Sequence, residues 1–128
     1  MAEISVPIYV ESRYKVDRKR IRNLVSKILN SKDIAGKAEV SIAIVGDRKM
    51  RSLSKKYKNE DKTRNVLSFS LTEGESTPSY SDVLFLGDVV ISYPEVIKEA
   101  AKEEMLVDDK IDQLVEHGLM HLLGLHHE

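Results

Sequence analysis

Every histidine of the chain falls in its last dozen residues, His117-Gly118-Leu119-Met120-His121-Leu122-Leu123-Gly124-Leu125-His126-His127-Glu128. His117 and His121 are four apart. On a helix that spacing sets both imidazoles on one face, one turn from each other, which suits two ligands of a single metal ion. Gly124 predicts the end of that helix, because the left-handed position past a helix C-terminus is cheap only for a residue without Cβ. Beyond the turn the chain can double back and present His127. Two ligands on a helix and a third after a glycine turn make a three-histidine site. Three protein ligands leave a fourth position open to water, the arrangement of a catalytic rather than a structural zinc. A histidine pair at helical spacing is common on ordinary surfaces. Glycine at plus seven and histidine at plus ten make the pattern specific, and the reading is one zinc per chain.

The spacing resembles that of the metzincin zinc proteases, with one gap. Their general base is a glutamate directly after the first histidine, and here that position is Gly118. Glu116, on the other side of His117, would point about a hundred degrees off the ligand face. A zinc peptidase or related hydrolase is therefore an alternative that lacks its base.

The chain has no cysteine, so disulfides and thiolate ligation are excluded and histidine or carboxylate must hold any metal. Its 128 residues, 41% of them hydrophobic, predict a single globular domain over 1–128. No apolar run approaches the roughly eighteen residues of a membrane span, and the start lacks a signal-peptide core, so the expectation is a cytoplasmic protein without a membrane partner. The net charge of −1 hides an asymmetry. Residues 1–64 carry 17 Lys and Arg against 8 Asp and Glu, whereas residues 65–128 carry 3 against 13. The cations cluster, one group running from Arg13 to Arg22 and another from Arg48 to Arg64. Such local patches, more than a basic total, are what polyanion binding with counterion release requires.

These groups need a scaffold. Ile4 to Val10 alternates and predicts a first strand, with Pro7 pointing to a sheet edge. Asp17 predicts a helix cap, after which Ile21, Leu24, Val25, Ile28 and Leu29 fall at helical spacing. Val40–Val45 reads as a second strand. Asp47 is the next expected cap, opening a short basic helix with Met50, Leu53 and Tyr57 inward. Asn59–Lys62 reads as a loop and Val66–Phe69 as a third strand. Thr72 to Asp82 is rich in Ser, Gly, Glu and Pro and reads as a mobile loop. Leu84 to Ser92 is a fourth strand interrupted at Gly87-Asp88. Pro94 suits the first turn of a third helix with Val96, Ile97 and Ala100 inward. Asp108 or Asp109 is expected to cap the last helix, whose apolar stripe is Ile111, Leu114, Val115, Gly118, Leu119 and Leu122. The fold class expected is α+β, a four-stranded mixed sheet packed with about four helices and a metal site of metzincin-like local geometry.

Three segments together resemble the YbeY-type single-strand endoribonucleases, or ribosomal RNA maturation factors. The family motif His-Gly-x-Leu-His-Leu-x-Gly-Tyr-Asp-His is matched by His117–His127, Thr-(Asp/Asn)-Val-Leu-Ser-Phe-Pro by Arg64–Ser70, and Leu-Gly-Asp-(Ile/Val)-Val-Ile-Ser by Leu86–Ser92. The resemblance covers residues 38–127, and more loosely the first strand and helix. It implies zinc held by His117, His121 and His127, and RNA cleavage in ribosomal RNA processing and ribosome quality control. It also implies a catalytic cation at Lys58, where the family has arginine after tyrosine. Arg64 replaces the family threonine and can supply a guanidinium instead. His126 replaces an aspartate and competes with His127 for the metal. Family members usually run on past the motif, whereas this sequence ends at Glu128.

The reading that follows is metal-assisted phosphodiester hydrolysis of single-stranded RNA, with Lys58 or Arg64 neutralising charge that develops on the phosphoryl oxygens. Arg48, Arg51, Lys55, Lys56 and Lys62 would hold the backbone. With no tryptophan and 5% aromatic residues, the composition argues against extensive base stacking. Targeting would then come from ribosomal RNA, the small ribosomal subunit or ribosome-associated proteins. Asn65, Ser68, Asp88 and His126 either line the pocket or bond the histidines from behind; the plain alternatives are that Asn65 bonds a turn and Asp88 fixes the bend after Gly87. A second alternative function is a non-catalytic ribosome-associated RNA-binding protein.

Overall fold

The structure, a computed structural model, describes residues 3–11, 13–34, 36–70 and 83–124. The expected loop at 72–82 and the residues from Leu125 on, with His126 and His127, lie outside the described residues. The elements run β1 (Glu3–Ser5), β2 (Ile8–Val10), α1 (Arg18–Ser31), β3 (Lys37–Val45), α2 (Asp47–Lys58), β4 (Val66–Ser70), β5 (Val83–Ser92), α3 (Tyr93–Glu103) and α4 (Val107–Leu122). Five strands form one mixed sheet. The β1 and β2 strands both pair parallel to β3, β3 pairs parallel to β5, and β4 closes the order antiparallel to β5.

The sheet has five strands where four are expected, because Pro7 splits the first. Proline has no N–H to give the ladder, and the Pro7 carbonyl instead accepts from the Ile42 amide at 3.0 Å. A second irregularity sits in β5, where Leu86 is an extra residue between pairs Glu39–Phe85 and Val40–Gly87. Gly87 follows at φ +141°, and a Cβ there would stand 2.0 Å from the Phe69 carbonyl oxygen. Only glycine permits that approach of β4 to β5.

Alternation along β3 sorts the core into two layers. Val40, Ile42 and Ile44 face α1 and α4 and bury against Ile21, Val25, Leu29, Ile111, Val115 and Leu119. The opposite face is covered less: Val45, Leu67 and Val90 meet Met50 of α2. The apolar stripe expected on α4 is buried throughout. Two inward assignments fail, however. Ile97 is 42% exposed and Tyr57 is 54% exposed, because α2 buries only Met50 and Ser54 and α3 only Val96 and Ala100.

Two expected caps also fail. Asp17 does cap α1, accepting from the Arg20 amide at 3.0 Å. The cap of α2 is Gly46, and Asp47 is instead the first helical residue, accepting from Ser92 Oγ at 3.0 Å and Thr63 Oγ1 at 3.2 Å. The cap of α4 is Leu106, with Asp108 and Asp109 in the first turn, where their charge still favours the helix dipole. The first basic cluster is partly structural. Arg20 donates to Asp109 at 2.6 Å and Asp112 at 2.9 Å, tying α1 to α4, while Arg18 and Arg22 donate to the carbonyls of Ile8 and Val6.

Lys110 is charged, yet only 5% exposed. Its ammonium lies 3.2 Å from Glu99, 3.0 Å from Glu103 and 2.7 Å from Gln113 Oε1. Burial alone would lower its pKa, but the hydrogen bonds to Glu103 and Glu99 override it and hold the pKa above the ordinary value. The stabilisation is therefore complete below the unfolded value of about 10.4 and is lost as pH rises through the higher folded value. Lys110→Met is expected to lower stability by about 2 kcal/mol, less than for a fully enclosed pair because the Glu103 side chain is 44% exposed. Denaturant titrations from pH 9 to 12 check this, and the variant should show a shallower alkaline fall than the native chain.

Candidate active site

The α4 helix delivers His117 and His121. Its buried stripe presses on the sheet and leaves His117 and His121 exposed along one edge, with ring centroids 4.7 Å apart and planes at 62°. The helix ends as expected: Gly124 takes φ +72° and donates to the His121 carbonyl at 3.1 Å. The glycine turn is thus in place, while His126 and His127 lie outside the described residues.

Gly118 lies on the buried side of the same turn. A Cβ there would stand 2.6 Å from Val89 Cγ1 and 3.1 Å from Ser68 Oγ. The Ser68 hydroxyl donates to the Gly118 carbonyl at 3.2 Å. Helix and β4 are thus in close contact at this point, and position 118 faces the sheet, so it cannot hold a general base aimed at substrate. Glu116 is exposed on another side of the helix.

A cleft of about 530 Å³ opens beside the imidazoles, with Lys58, Arg64, Ser68 and Ser70 on its other walls and Val66, Leu67 and Leu122 at its base. Lys58 arrives from the last turn of α2. That helix stops at Asn59, which adopts the left-handed conformation at φ +56° and donates to the Ser54 carbonyl. The chain then turns through Glu60 and returns with Arg64. Glu60 accepts a short charge-assisted bond from the Arg64 guanidinium. That bond, with Lys62 and Lys58 nearby, holds the Glu60 carboxyl below its ordinary pKa. Arg64 is thus ion-paired, whereas Lys58 has no carboxylate within ion-pair distance among the described residues.

The other residues singled out from sequence divide. Ser68 lies in the cleft. Asn65 does not point to the histidines: its amide donates to Glu99 at 3.1 and 3.2 Å, and its carbonyl accepts from the Ser92 amide. Asp88 sits on the opposite face of the sheet, since it pairs in register with Phe69 while Ser68 pairs with Val89. It accepts a bond from Ser41 Oγ there, which rules out contact with the imidazoles. Arg48, Arg51 and Lys55 line a separate hollow with Lys98, Asp47 and Asp61. Lys56 lies over the Tyr57 ring, and Lys62 stands 3.8 Å from Glu60. Sequence reasoning missed Ser70 and Glu60. Strand alternation from Ser68 would have found the first, and the four-residue spacing to Arg64 suggests the second.

The donor set fits a metal in part. Two imidazoles on one face suit zinc or another borderline ion, and both histidines line the cleft. Among the described residues, no three His, Asp or Glu side chains converge as a metal centre, so a third protein ligand would have to come from outside them. No described helix is long and apolar enough to cross a membrane.

Fold and cleft define an α+β protein in which two imidazoles and two cationic side chains line one cleft. The family model described as Endoribonuclease YbeY matches residues 8–128. A protein of that name from Syntrophus aciditrophicus is 37% identical over 118 residues, 92% of this chain and 72% of the relative. Another from Roseiflexus castenholzii is 35% identical, covering 99% of this chain and 82% of the relative. The solution structure of TM1509 from Thermotoga maritima superposes with a TM-score of 0.61 at 23% identity, over 97% of this chain and 75% of that one, and shares the fold. The chain belongs to the endoribonuclease YbeY family.

Proposed function

We propose that this chain is a metal-dependent, single-strand-specific endoribonuclease acting in ribosomal RNA maturation and ribosome quality control. The observation that carries the reading is the shared cleft: imidazoles 4.7 Å apart on one wall, Lys58 and Arg64 on another. Relatives named as endoribonucleases supply the substrate class. His117, His121 and His127 would hold one zinc in a metzincin-like local arrangement, with His126 competing for the third position. When bound, zinc supplies Lewis acidity and a water that ionises near neutral pH.

The protein's own groups do the rest. Lys58 meets a phosphoryl oxygen where charge develops, and Arg64, oriented by Glu60, grips a neighbouring phosphate. Ser68 and Ser70 offer hydroxyls along the β4 edge. Arg48, Arg51 and Lys55 in their own hollow, with Lys56 and Lys62, would hold further phosphates of the backbone. A cytoplasmic site of action, with ribosomal RNA or the small ribosomal subunit as partner, belongs to the same reading.

Lys58→Ala is expected to lower kcat/KM for single-stranded RNA by about 10²-fold, the scale of one lost transition-state donor. Arg64→Ala should cost less, because Glu60 already shares its charge. Steady-state cleavage of a fluorescent oligonucleotide measures both. The decisive experiment for the function is chelation and readdition: cleavage should vanish with metal removal and return with zinc. Undiminished RNA cleavage by rigorously metal-free protein would contradict the metal, and hydrolysis of casein without cleavage of RNA would favour the peptidase. RNA binding that survives chelation, with no cleavage under any metal, would favour a non-catalytic binding protein.

A further inference from the structure

A second groove of about 560 Å³ lies on the thinly covered face of the sheet, beneath α2. Three of the chain's seven phenylalanines and tyrosines gather there: Tyr9 from β2, Tyr57 from α2 and Phe69 from β4. Tyr9 is 60% and Tyr57 is 54% exposed, a large apolar area to leave in water without a use. Phe69 supports Tyr57 edge-on at a centroid distance of 5.0 Å. Cations border the rings, for Lys49 lines the groove and the Lys56 ammonium stands 5.1 Å over Tyr57. At the floor is one carboxylate, Asp88, held by Ser41.

This groove and the histidine cleft are two sides of one ridge. Tyr57 lies in the groove and Lys58 in the cleft; Phe69 lies in the groove, Ser68 and Ser70 in the cleft. A strand leaving the cleft therefore crosses the end of α2 and the edge of β4 straight onto the aromatic rings.

We propose that the groove is a second RNA subsite, in which Tyr57 and Tyr9 stack on bases of a single strand whose phosphates follow Lys49 and Lys56. The inference rests on the endoribonuclease reading for its substrate. Rings with cations beside them match the stacking-plus-backbone recognition of single strands. An anionic Asp88 would repel phosphate but can accept from a base amino group, as carboxylates do from cytosine N4. The low aromatic content of the chain argues against extensive stacking, and a gathered trio needs to serve only two or three bases.

The test is fluorescence anisotropy of a single-stranded RNA of about twelve nucleotides, in the His121→Ala background so that the strand is not cut. Tyr57→Leu should raise Kd about 5- to 10-fold, within the range for one lost stacking contact. The effect should disappear with an abasic strand of equal length. The salt dependence of Kd should stay unchanged in Tyr57→Leu and weaken by about one ion in Lys49→Ala. An unchanged Kd in Tyr57→Leu, or an equal loss on abasic RNA, overturns the proposal and leaves the groove to a protein partner. Should the variant not fold, 4-thiouridine crosslinking of the unsubstituted chain decides: adducts on peptides holding Tyr9 or Tyr57 support the subsite, and adducts confined to the cleft overturn it. A native chain that binds RNA with the Tyr57 effect but never cuts it would count against the catalytic reading and leave the groove standing.

Discussion

Alanine at His121 is expected to lower kcat/KM for RNA by roughly three orders of magnitude, a loss of about 4 kcal/mol of transition-state stabilisation. The magnitude follows from what the imidazole would do. It would be one of two ligands presented by α4, and without it the ion would be either absent or held too loosely to activate water. His121 is exposed at the cleft wall, so the substitution opens no core cavity and the melting temperature of metal-free protein should barely move. His117→Ala should match it, and the double variant should be little worse than either, because residues that act as one unit are not additive. Zinc content by mass spectrometry should fall alongside activity. Glu116→Ala serves as the comparison, since that side chain is exposed on another side of the helix, and its cleavage should stay within about twofold of native. A His121→Ala protein that keeps native cleavage and native zinc would remove the basis of the assignment.

The second large effect concerns Gly118. Gly118→Glu would supply the residue that the metzincin spacing lacks, yet no peptidase should result. The new Cβ would meet Val89 at 2.6 Å and Ser68 at 3.1 Å, and the carboxylate would be driven into the layer between α4 and the sheet. Overpacking of this kind costs about 1–3 kcal/mol, and burying an unpaired charge adds more. A combined loss of about 4 kcal/mol or more is a large part of the 5–15 kcal/mol typical of a domain. The variant should be mostly insoluble or melt far below native, and the milder Gly118→Ala should lose about 1–3 kcal/mol. Chemical denaturation and casein hydrolysis read both properties. A stable Gly118→Glu protein that cuts casein would show that the helix can lift off the sheet and that the missing base was the only obstacle.

The same glycine illustrates what sequence can and cannot convey. Its place in the motif is plain, but its reason is steric: β4 and β5 approach α4 here, and no local pattern reports that distance. What the sequence by itself determined was whatever depends on near neighbours. The i, i+4 histidines, the Gly124 turn, the Asp17 cap, the apolar stripe of α4 and the alternation of β3 all follow from helix and strand periodicity, and all are present.

Only the tertiary structure decided which face each distant group reaches. Asp88 and Ser68 lie in adjacent family motifs, but the pairing of β4 with β5 sends one to the aromatic groove and the other to the histidine cleft. Asn65 is drawn to Glu99, and Lys110 is buried among carboxylates of α3. Asp47 and Asp108 lose their expected capping role because the chain enters those helices one or two residues earlier. In each case the deciding partner is remote in sequence, so register and packing, rather than propensity, select the contact.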